Sequence, residues 1–172
     1  FAPATVNLGS TCGELNYCPS RPSPDFVVEV HIPHDGHWTF ALCDCSEVWD
    51  SYIYLAETCC GTPIFSDDDG CGMLHGHAEI SCQLLAANTL FLIIEGNNAA
   101  ACGDVILSVT ECTGRCCYDS NGSLLCAEIT RAECESLNGD FVALGSCSSG
   151  PCLVRPICTG EGQSPDLPGE NP

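Results

Sequence analysis

The sequence predicts an all-β fold, a sandwich or a barrel, followed by a small disulfide-rich module. In the first two-thirds of the 172 residues, seven short runs rich in β-branched and aromatic residues are separated by clusters of Asp, Asn, Gly and Pro. This spacing is typical of sandwiches and barrels. Beyond Cys112 the composition changes to closely spaced cysteines, which indicates a second, cross-linked unit.

The seven predicted strands follow one another along the chain. The first, FVVEVHI, stops at Pro33, and the second follows a His-Asp-Gly turn. The run Leu90–Ile94 is apolar at every position, so we expect it to lie centrally in a sheet. The predicted strands are Phe26–Ile32, His37–Cys43, Ser51–Ala56, Thr62–Phe65, His77–Gln83, Thr89–Glu95 and Asp104–Thr110.

An N-terminal arm precedes these strands. Ala2, Ala4, Val6 and Leu8 alternate with more polar residues, so one face of the arm is apolar. The arm is either the first strand of the same sandwich or a donor strand that adds to the sheet of the next molecule. Head-to-tail donation does not close on itself, so the second alternative predicts a fibre.

The C-terminal third contains one helix signature. Thr130 with Glu133 forms a capping box, and Gly139 lies where a residue that ends a helix should be, which predicts a short helix over Arg131–Asn138. The segment Thr159–Pro172 is rich in Gly, Pro and acidic residues and is expected to be extended or disordered. The predicted divisions are an arm (1–25), a sandwich (26–112), a Cys-rich mini-domain (113–158) and a tail (159–172).

Seventeen cysteines place the chain in an oxidising compartment, so we expect an extracellular, secreted or cell-surface protein. Ten cysteines lie between Cys12 and Cys112, six lie between Cys116 and Cys152, and Cys158 stands alone next to the tail, which predicts five bridges, three bridges and one free or intermolecular thiol. Neighbouring cysteines should bond to separate partners, because adjacent Cα atoms are too close for a relaxed bridge. The ten are Cys12, Cys18, Cys43, Cys45, Cys59, Cys60, Cys71, Cys82, Cys102 and Cys112, and the six are Cys116, Cys117, Cys126, Cys134, Cys147 and Cys152.

The formal net charge of −19, with four basic residues against 23 acidic ones, excludes most nucleic-acid binding and disfavours anionic membranes. The longest apolar stretch, Leu84–Ile94, is shorter than the roughly 20 residues that a spanning helix needs, so no membrane insertion is expected. Cations, neutral glycans and other proteins remain as partners.

The stretch Trp38–Cys112 resembles the bacterial pre-peptidase C-terminal (PPC) domain. The matching features are WTFALC, VWDSYIYL, FSDDDGCG, AEISCQLLAANTLFLIIEG and GDVILSV. The resemblance implies a small jelly-roll-like β-sandwich that is appended to exported bacterial proteins and is not itself catalytic. The stretch Gly114–Cys152 looks like a Cys-rich module of large exported bacterial proteins.

Two loops carry candidate sites. Asp67, Asp68 and Asp69 precede Gly70, and three adjacent carboxylates suit Ca²⁺, although a solvated turn is the plainer interpretation. Asp50 joins them if the arrangement of the resembled family holds. No other cofactor is expected.

Asn121-Gly122-Ser123 has the form of a glycosylation site. Asn-Gly is also a favoured two-residue hairpin turn, and we favour the turn.

No nucleophile elbow, metalloprotease motif or phosphate loop occurs, and the absence of lysine excludes Schiff-base chemistry, so we expect no enzyme. We therefore expect a structural subunit that assembles with itself into a filament or surface layer by N-terminal strand donation. The alternative is an accessory module that binds a protein or glycan, which exposure of Trp38 or Trp49 would favour.

Overall fold

The structure is a computed structural model that describes residues 4–18, 20–45, 49–72, 76–148 and 152. Within them lie eleven strands and one helix, α1 (Arg131–Ser136). This helix is too short to cross a membrane, and it is the longest helix in the described residues. The strands are β1 (Ala4–Ser10), β2 (Asp25–Ile32), β3 (Gly36–Ala41), β4 (Ser51–Ala56), β5 (Phe65–Asp67), β6 (Glu79–Leu85), β7 (Asn88–Gly96), β8 (Asp104–Glu111), β9 (Gly114–Ser120), β10 (Ser123–Ile129) and β11 (Asp140–Ala143).

The first eight strands form two four-stranded antiparallel sheets. Their orders are β1-β8-β3-β6 and β2-β7-β4-β5, so the neighbours include β1 with β8, β2 with β7, β3 with β6 and β4 with β5. In this nested pattern the first strand pairs with the last, the second with the seventh, and so on inward, which is the topology of an eight-stranded jelly roll. The predicted all-β, jelly-roll-like sandwich is therefore confirmed.

The seven predicted strands correspond to β2–β8, with ends shifted by a few residues. The largest shift is in β5, predicted over Thr62–Phe65 and found at Phe65–Asp67. Pro63 has no backbone N–H to donate to a ladder, and regular pairing with β4 starts only at Phe65. β7 is central in its sheet, as predicted from the run Leu90–Ile94, which is apolar on both faces.

The main core lies between the two sheets. Leu90, Leu92 and Ile94 of β7 face it and pack with Trp38 and Phe40 of β3. The alternate β7 residues face the outside of the sheet, where a second cluster forms. That cluster contains Cys18, Tyr54, Ala56 and Ile93, with Val27, Tyr52, Cys60 and Phe91 packed against it.

The second cluster explains why β7 is apolar on both faces. The connection between β1 and β2, described at residues 11–18 and 20–24, places Cys18 over the outer face of the sheet and is tied there by the Cys18–Cys60 bridge. We call this connection the cover. Full burial of one large aliphatic side chain is worth about 1.5–3 kcal/mol, so the cover adds appreciably to a small fold.

The C-terminal module is a three-stranded sheet of order β10-β9-β11. β9 and β10 form a hairpin around Asn121 and Gly122, whose φ angles of 55° and 80° are those of a two-residue type I′ turn. The predicted hairpin is therefore found, and Asn121 is exposed at its tip.

Helix α1 begins as predicted. Thr130 accepts a hydrogen bond from the Glu133 N–H, and the Glu133 carboxylate accepts one from the Thr130 N–H. The helix ends earlier than predicted, in a Schellman motif whose left-handed residue is Asn138 (φ 52°). Gly139 follows one position later, and its N–H donates to the Cys134 carbonyl at 2.9 Å.

Seven disulfides staple the described residues, four in the sandwich and three in the C-terminal module. The sandwich has one bridge fewer than predicted, because Cys45 and Cys59 are unbridged. Cys158 lies outside the described residues. The bridges are Cys12–Cys102, Cys18–Cys60, Cys43–Cys71, Cys82–Cys112, Cys116–Cys134, Cys117–Cys152 and Cys126–Cys147.

Candidate functional site

The N-terminal arm forms β1, an edge strand that pairs with β8 of the same chain, from Ala4 opposite Val109 to Ser10 opposite Asp104. Of the predicted arm residues, Ala2 lies outside the described part of the chain. Leu8 packs against the main core, whereas the side chain of Val6 is 47% exposed. Backbone pairing therefore holds the arm with little help from buried apolar surface.

A bulge interrupts β1 just before its end. The register with β8 shifts between Asn7 and Gly9, and the Gly9 N–H donates to Asn7 Oδ1 at 2.9 Å. Gly9 has a φ of 90°, a left-handed conformation that costs glycine little and other residues more. The bulge is therefore a natural point at which the arm can change direction.

Immediately after β1 the chain is fixed to the connection between β7 and β8. The buried Thr11 donates its N–H to the Gly103 carbonyl at 3.0 Å, and its Oγ1 accepts the Gly103 N–H at 3.1 Å. The next residue forms the Cys12–Cys102 bridge. We call these contacts the pin. The pin separates a lightly held arm from a firmly held sandwich.

The acidic turn after β5 is closed by its own backbone. Asp67 Oδ1 accepts the N–H of Gly70 at 2.6 Å and the N–H of Glu79 at 2.9 Å. Asp50 is occupied elsewhere, since its Oδ2 accepts Asn97 Nδ2 at 3.3 Å.

The predicted calcium ligands are thus not assembled into one cluster. The Asp50 backbone and the Asp69 carboxylate both lie near Gly76, but no three of the candidate carboxylates converge in the described residues. The reason is that one Asp67 oxygen serves as a turn cap, which points it at amides. Calcium binding remains a prediction.

Two other groups of potential metal ligands do converge within 4.8 Å. They are Cys117 with Cys126 and Cys152, and Cys43 with Cys71 and Glu79. All five cysteines are in disulfides, and a bridged sulfur lacks the thiolate that binds metal. These groups are therefore structural.

The two unbridged thiols differ in surroundings. Cys45 is half-buried, and its Sγ accepts the Ile106 N–H at 3.2 Å. Burial raises the pKa of this thiol, with a further increase from Asp104 and Asp44. Cys59 is exposed, and its Sγ lies 3.8 Å from Sγ of Cys60.

A pair of buried acids lies beneath the cover, and the sequence motifs did not predict it. Asp25 and Glu95 are opposite each other on β2 and β7, and neither has any solvent exposure. Asp25 Oδ2 accepts the Cys18 N–H at 2.7 Å, and the Ser20 hydroxyl donates to Glu95 Oε1. The second oxygen of each acid is buried without a hydrogen-bond partner.

Burial dominates the electrostatics of this pair. It raises the pKa of Asp25, although hydrogen bonds from Cys18 and Tyr17 partly offset the increase. It also raises the pKa of Glu95, which the nearby Asp25 raises further. Burial likewise raises the pKa of Tyr54 in the same cluster. The folded state therefore favours the protonated form of both acids, although the hydrogen bonds that they accept from the cover favour the ionised form.

The surface beside Asp25 contains a cavity of about 330 Å³ lined by Tyr17, Asp25, Phe26, Val27 and Cys59. Tyr17 is 60% exposed. Both tryptophans, in contrast, are buried, so neither offers a surface for ligand stacking.

No family model matches this chain, and no curated protein or solved structure matches it. The resemblance to the pre-peptidase C-terminal domain therefore remains a prediction from sequence motifs.

Proposed function

We propose that this protein is a non-catalytic, extracellular structural subunit that assembles with copies of itself into a filament or surface layer by exchange of β1. The observation that supports this proposal is the contrast between the lightly held β1 and the pin directly behind it. An arm that detaches at Gly9 leaves the rest of the sandwich fixed.

In the exchanged form, β1 of one copy pairs with β8 of the next. The β8 edge vacated in the first copy then accepts β1 from a third. The contacts of residues 4–8 with β8 are the ones already made within the monomer. Exchange therefore changes the pairing energy little and depends mainly on the protein concentration and on the hinge at Gly9. A head-to-tail interface of this kind does not close and generates a chain of subunits.

The composition fits such a role. Seven bridges restrict the unfolded chain, each worth on the order of 3 kcal/mol in the entropic model, which suits a protein that must persist outside the cell. The net charge of −19 keeps free subunits apart, so salt or divalent cations should promote assembly by screening it.

Removal of the arm tests the proposal. A chain that lacks residues 1–8 should form no filaments in negative-stain images and nothing larger than a dimer in sedimentation velocity, under conditions in which the full chain assembles. A synthetic peptide of residues 1–10 should bind the shortened chain and, in excess, stop growth of the full chain. The same peptide carrying Leu8→Asp is the control, because it loses the core contact.

Two outcomes contradict the proposal. If the shortened chain assembles like the full chain, strand exchange is wrong. If the full chain stays monomeric at every salt and protein concentration tested, the filament is wrong.

One observation favours an accessory binding module as a second candidate. The cavity beside Tyr17 is bordered by an exposed aromatic ring and two apolar residues of β2. A glycan array with the wild type and a Tyr17→Ala variant tests it. Binding that the substitution removes supports a glycan module, and no binding by the wild type argues against one.

A further inference from the structure

Strand β2 has an open edge. It pairs with β7 on one side, and no strand of the described residues pairs with it on the other. At its start the outer side is covered, since the Asp25 N–H donates to the Leu15 carbonyl at 3.2 Å. Because backbone groups alternate in direction along a strand, the N–H and C=O groups of Val27, Glu29 and His31 also point outward.

No further backbone hydrogen bond from the described residues reaches this outer side of β2. Eight consecutive residues pair with β7 without a register shift, so the edge is regular. An uninterrupted edge rich in valine is a template for pairing with another strand. Natural edges are often blocked by proline or a bulge, and here Pro33 comes only after the strand has ended.

The side chains beside this edge include one acid and one base, an arrangement that is complementary to its own two-fold copy. Glu29 and His31 are both exposed and lie on the outer face of the sheet, two residues apart. Their register partners on β7 are uncharged: Phe91 faces Glu29, and Thr89 faces His31 with Oγ1 3.5 Å from His31 Nδ1. Within β2, the ionisable residue nearest to Glu29 is His31, and the one nearest to His31 is Glu29.

We propose that β2 is a homotypic interface at which two copies of this chain pair edge to edge, antiparallel, about a two-fold axis at Val30. In this register Glu29 of each copy faces His31 of the other, and Val30 faces its own equivalent. Outward backbone groups at positions 29 and 31 then form reciprocal hydrogen bonds. The two sheets become one continuous eight-stranded sheet.

Alternative registers are worse. A two-fold axis at Glu29 places the two Glu29 carboxylates opposite each other, and like charges directly opposite on neighbouring strands are destabilising. An axis nearer Asp25 collides with the cover at Leu15. The Val30 axis avoids both, because Pro33 turns each chain away before it reaches the partner's Leu15.

This interface is separate from the exchange of β1, which lies on the other sheet. It gives a symmetric dimer, whereas exchange gives an open chain of subunits. The experiment therefore uses a chain that lacks residues 1–8, in which exchange cannot occur, with the full chain in parallel. Both are analysed by sedimentation velocity at moderate salt, which screens the net charge, and at a mildly acidic pH.

The discriminating variants change charge without changing buried residues. His31→Glu places two acid pairs across the interface and should weaken dimerisation about tenfold or more, since two cross-strand pairs change at once. The double variant Glu29→His/His31→Glu exchanges the two residues, keeps the composition of the wild type and restores both opposite pairs. It should dimerise like the wild type. Thermal unfolding should be similar in all three, because both side chains are exposed.

The results separate clearly. A monomeric His31→Glu variant and a dimeric double variant support the interface. Equal dimerisation of wild type and His31→Glu overturns it, as does a wild type that stays monomeric up to millimolar concentration. Loss of filaments on arm deletion with retention of the dimer confirms that the two interfaces are independent.

Discussion

Asp25 and Glu95 face each other across β2 and β7 with no solvent exposure, and each uses one carboxylate oxygen to hold the cover. The cover is also attached by the Cys18–Cys60 bridge and by reciprocal hydrogen bonds between Ser23 and Gly96. Arg21 adds a hydrogen bond to the Asn97 carbonyl and lies over the Tyr52 ring. Because burial raises the pKa of both acids, we expect their contribution to closure of the cover to depend on protonation.

We first predict that the protein becomes more stable as the pH falls through the raised pKa values of Asp25 and Glu95. Burial raises both pKa values above the ordinary 3.8 of Asp and 4.5 of Glu. The stabilising contribution of such groups is complete below the ordinary values and is lost as the pH rises through the raised values. Urea unfolding at a series of pH values, with disulfides intact, measures it.

Glu95→Gln and Glu57→Gln separate this local effect from general charge repulsion. Both remove one negative charge, but Glu57 is exposed and Glu95 is buried. Glu95→Gln should flatten the pH dependence of the unfolding free energy, by up to about 1.4 kcal/mol per pH unit. Equal effects of the two variants would show that net charge alone sets the dependence.

A second prediction concerns the two unbridged thiols. In the native, unreduced protein Cys59 should react with iodoacetamide at least about tenfold faster than Cys45, because the thiolate is the reacting form and burial raises the pKa of Cys45. Peptide mass spectrometry assigns the labels. Fast labelling of the bridged cysteines, or equal rates at the two thiols, contradicts the structure.

A third prediction concerns Gly139 in the C-terminal module. A Cβ at this position would lie 2.4 Å from Cys116 Sγ and 2.8 Å from Cys134 Sγ. Gly139→Ala must therefore displace the bridge, at a cost of about 1–3 kcal/mol. We expect dithiothreitol to reduce the Cys116–Cys134 bridge faster in this variant than in the wild type.

Gly122→Ala is the comparison for that variant. Gly122 has a φ of 80° but open space around its Cβ position. Its substitution should cost about 1 kcal/mol in the turn and leave the reduction of Cys116–Cys134 unchanged. Similar reduction rates in the two variants would show that the contact with sulfur is unimportant.

Much of the fold follows from the sequence because strands and turns are local. Alternation and turn residues located β2–β8, and the capping box located α1. The bridges could not be assigned, because pairing depends on which loops meet in space. Cys59 and Cys60 illustrate this. Both lie beside the cover, and Cys18 can bond to one of them; it bonds to Cys60 and leaves Cys59 unbridged.

The sites were harder to predict than the fold. Asp67–Asp69 has the composition of a cation loop, but the function of Asp67 as a turn cap depends on a strand twelve residues away. The burial of Glu95 could have been predicted, since it shares the outward face of β7 with Phe91 and Ile93. Two large apolar residues on this face indicate that the face is covered, and therefore that Glu95 beside them is buried.

The last prediction tests the hinge of the proposed exchange. When β1 leaves its own β8, the chain must change direction between the pin and the paired segment, so Gly9 no longer has to keep its φ of 90°. Gly9→Ala strains the closed form by about 1 kcal/mol, with no clash, because no atom lies within 4 Å of the added carbon. Assembly should therefore increase about fivefold.

Gly13→Ala is a closely matched control. Gly13 has a φ of 95° and equally open surroundings, but it lies on the other side of the pin formed by Thr11 and Cys12. Its strain is the same in the closed and exchanged forms and should lower stability without promoting assembly. Light scattering and negative-stain imaging at matched concentrations compare the variants. If both glycine substitutions promote assembly equally, general destabilisation and not release of β1 drives it, and the hinge is wrong.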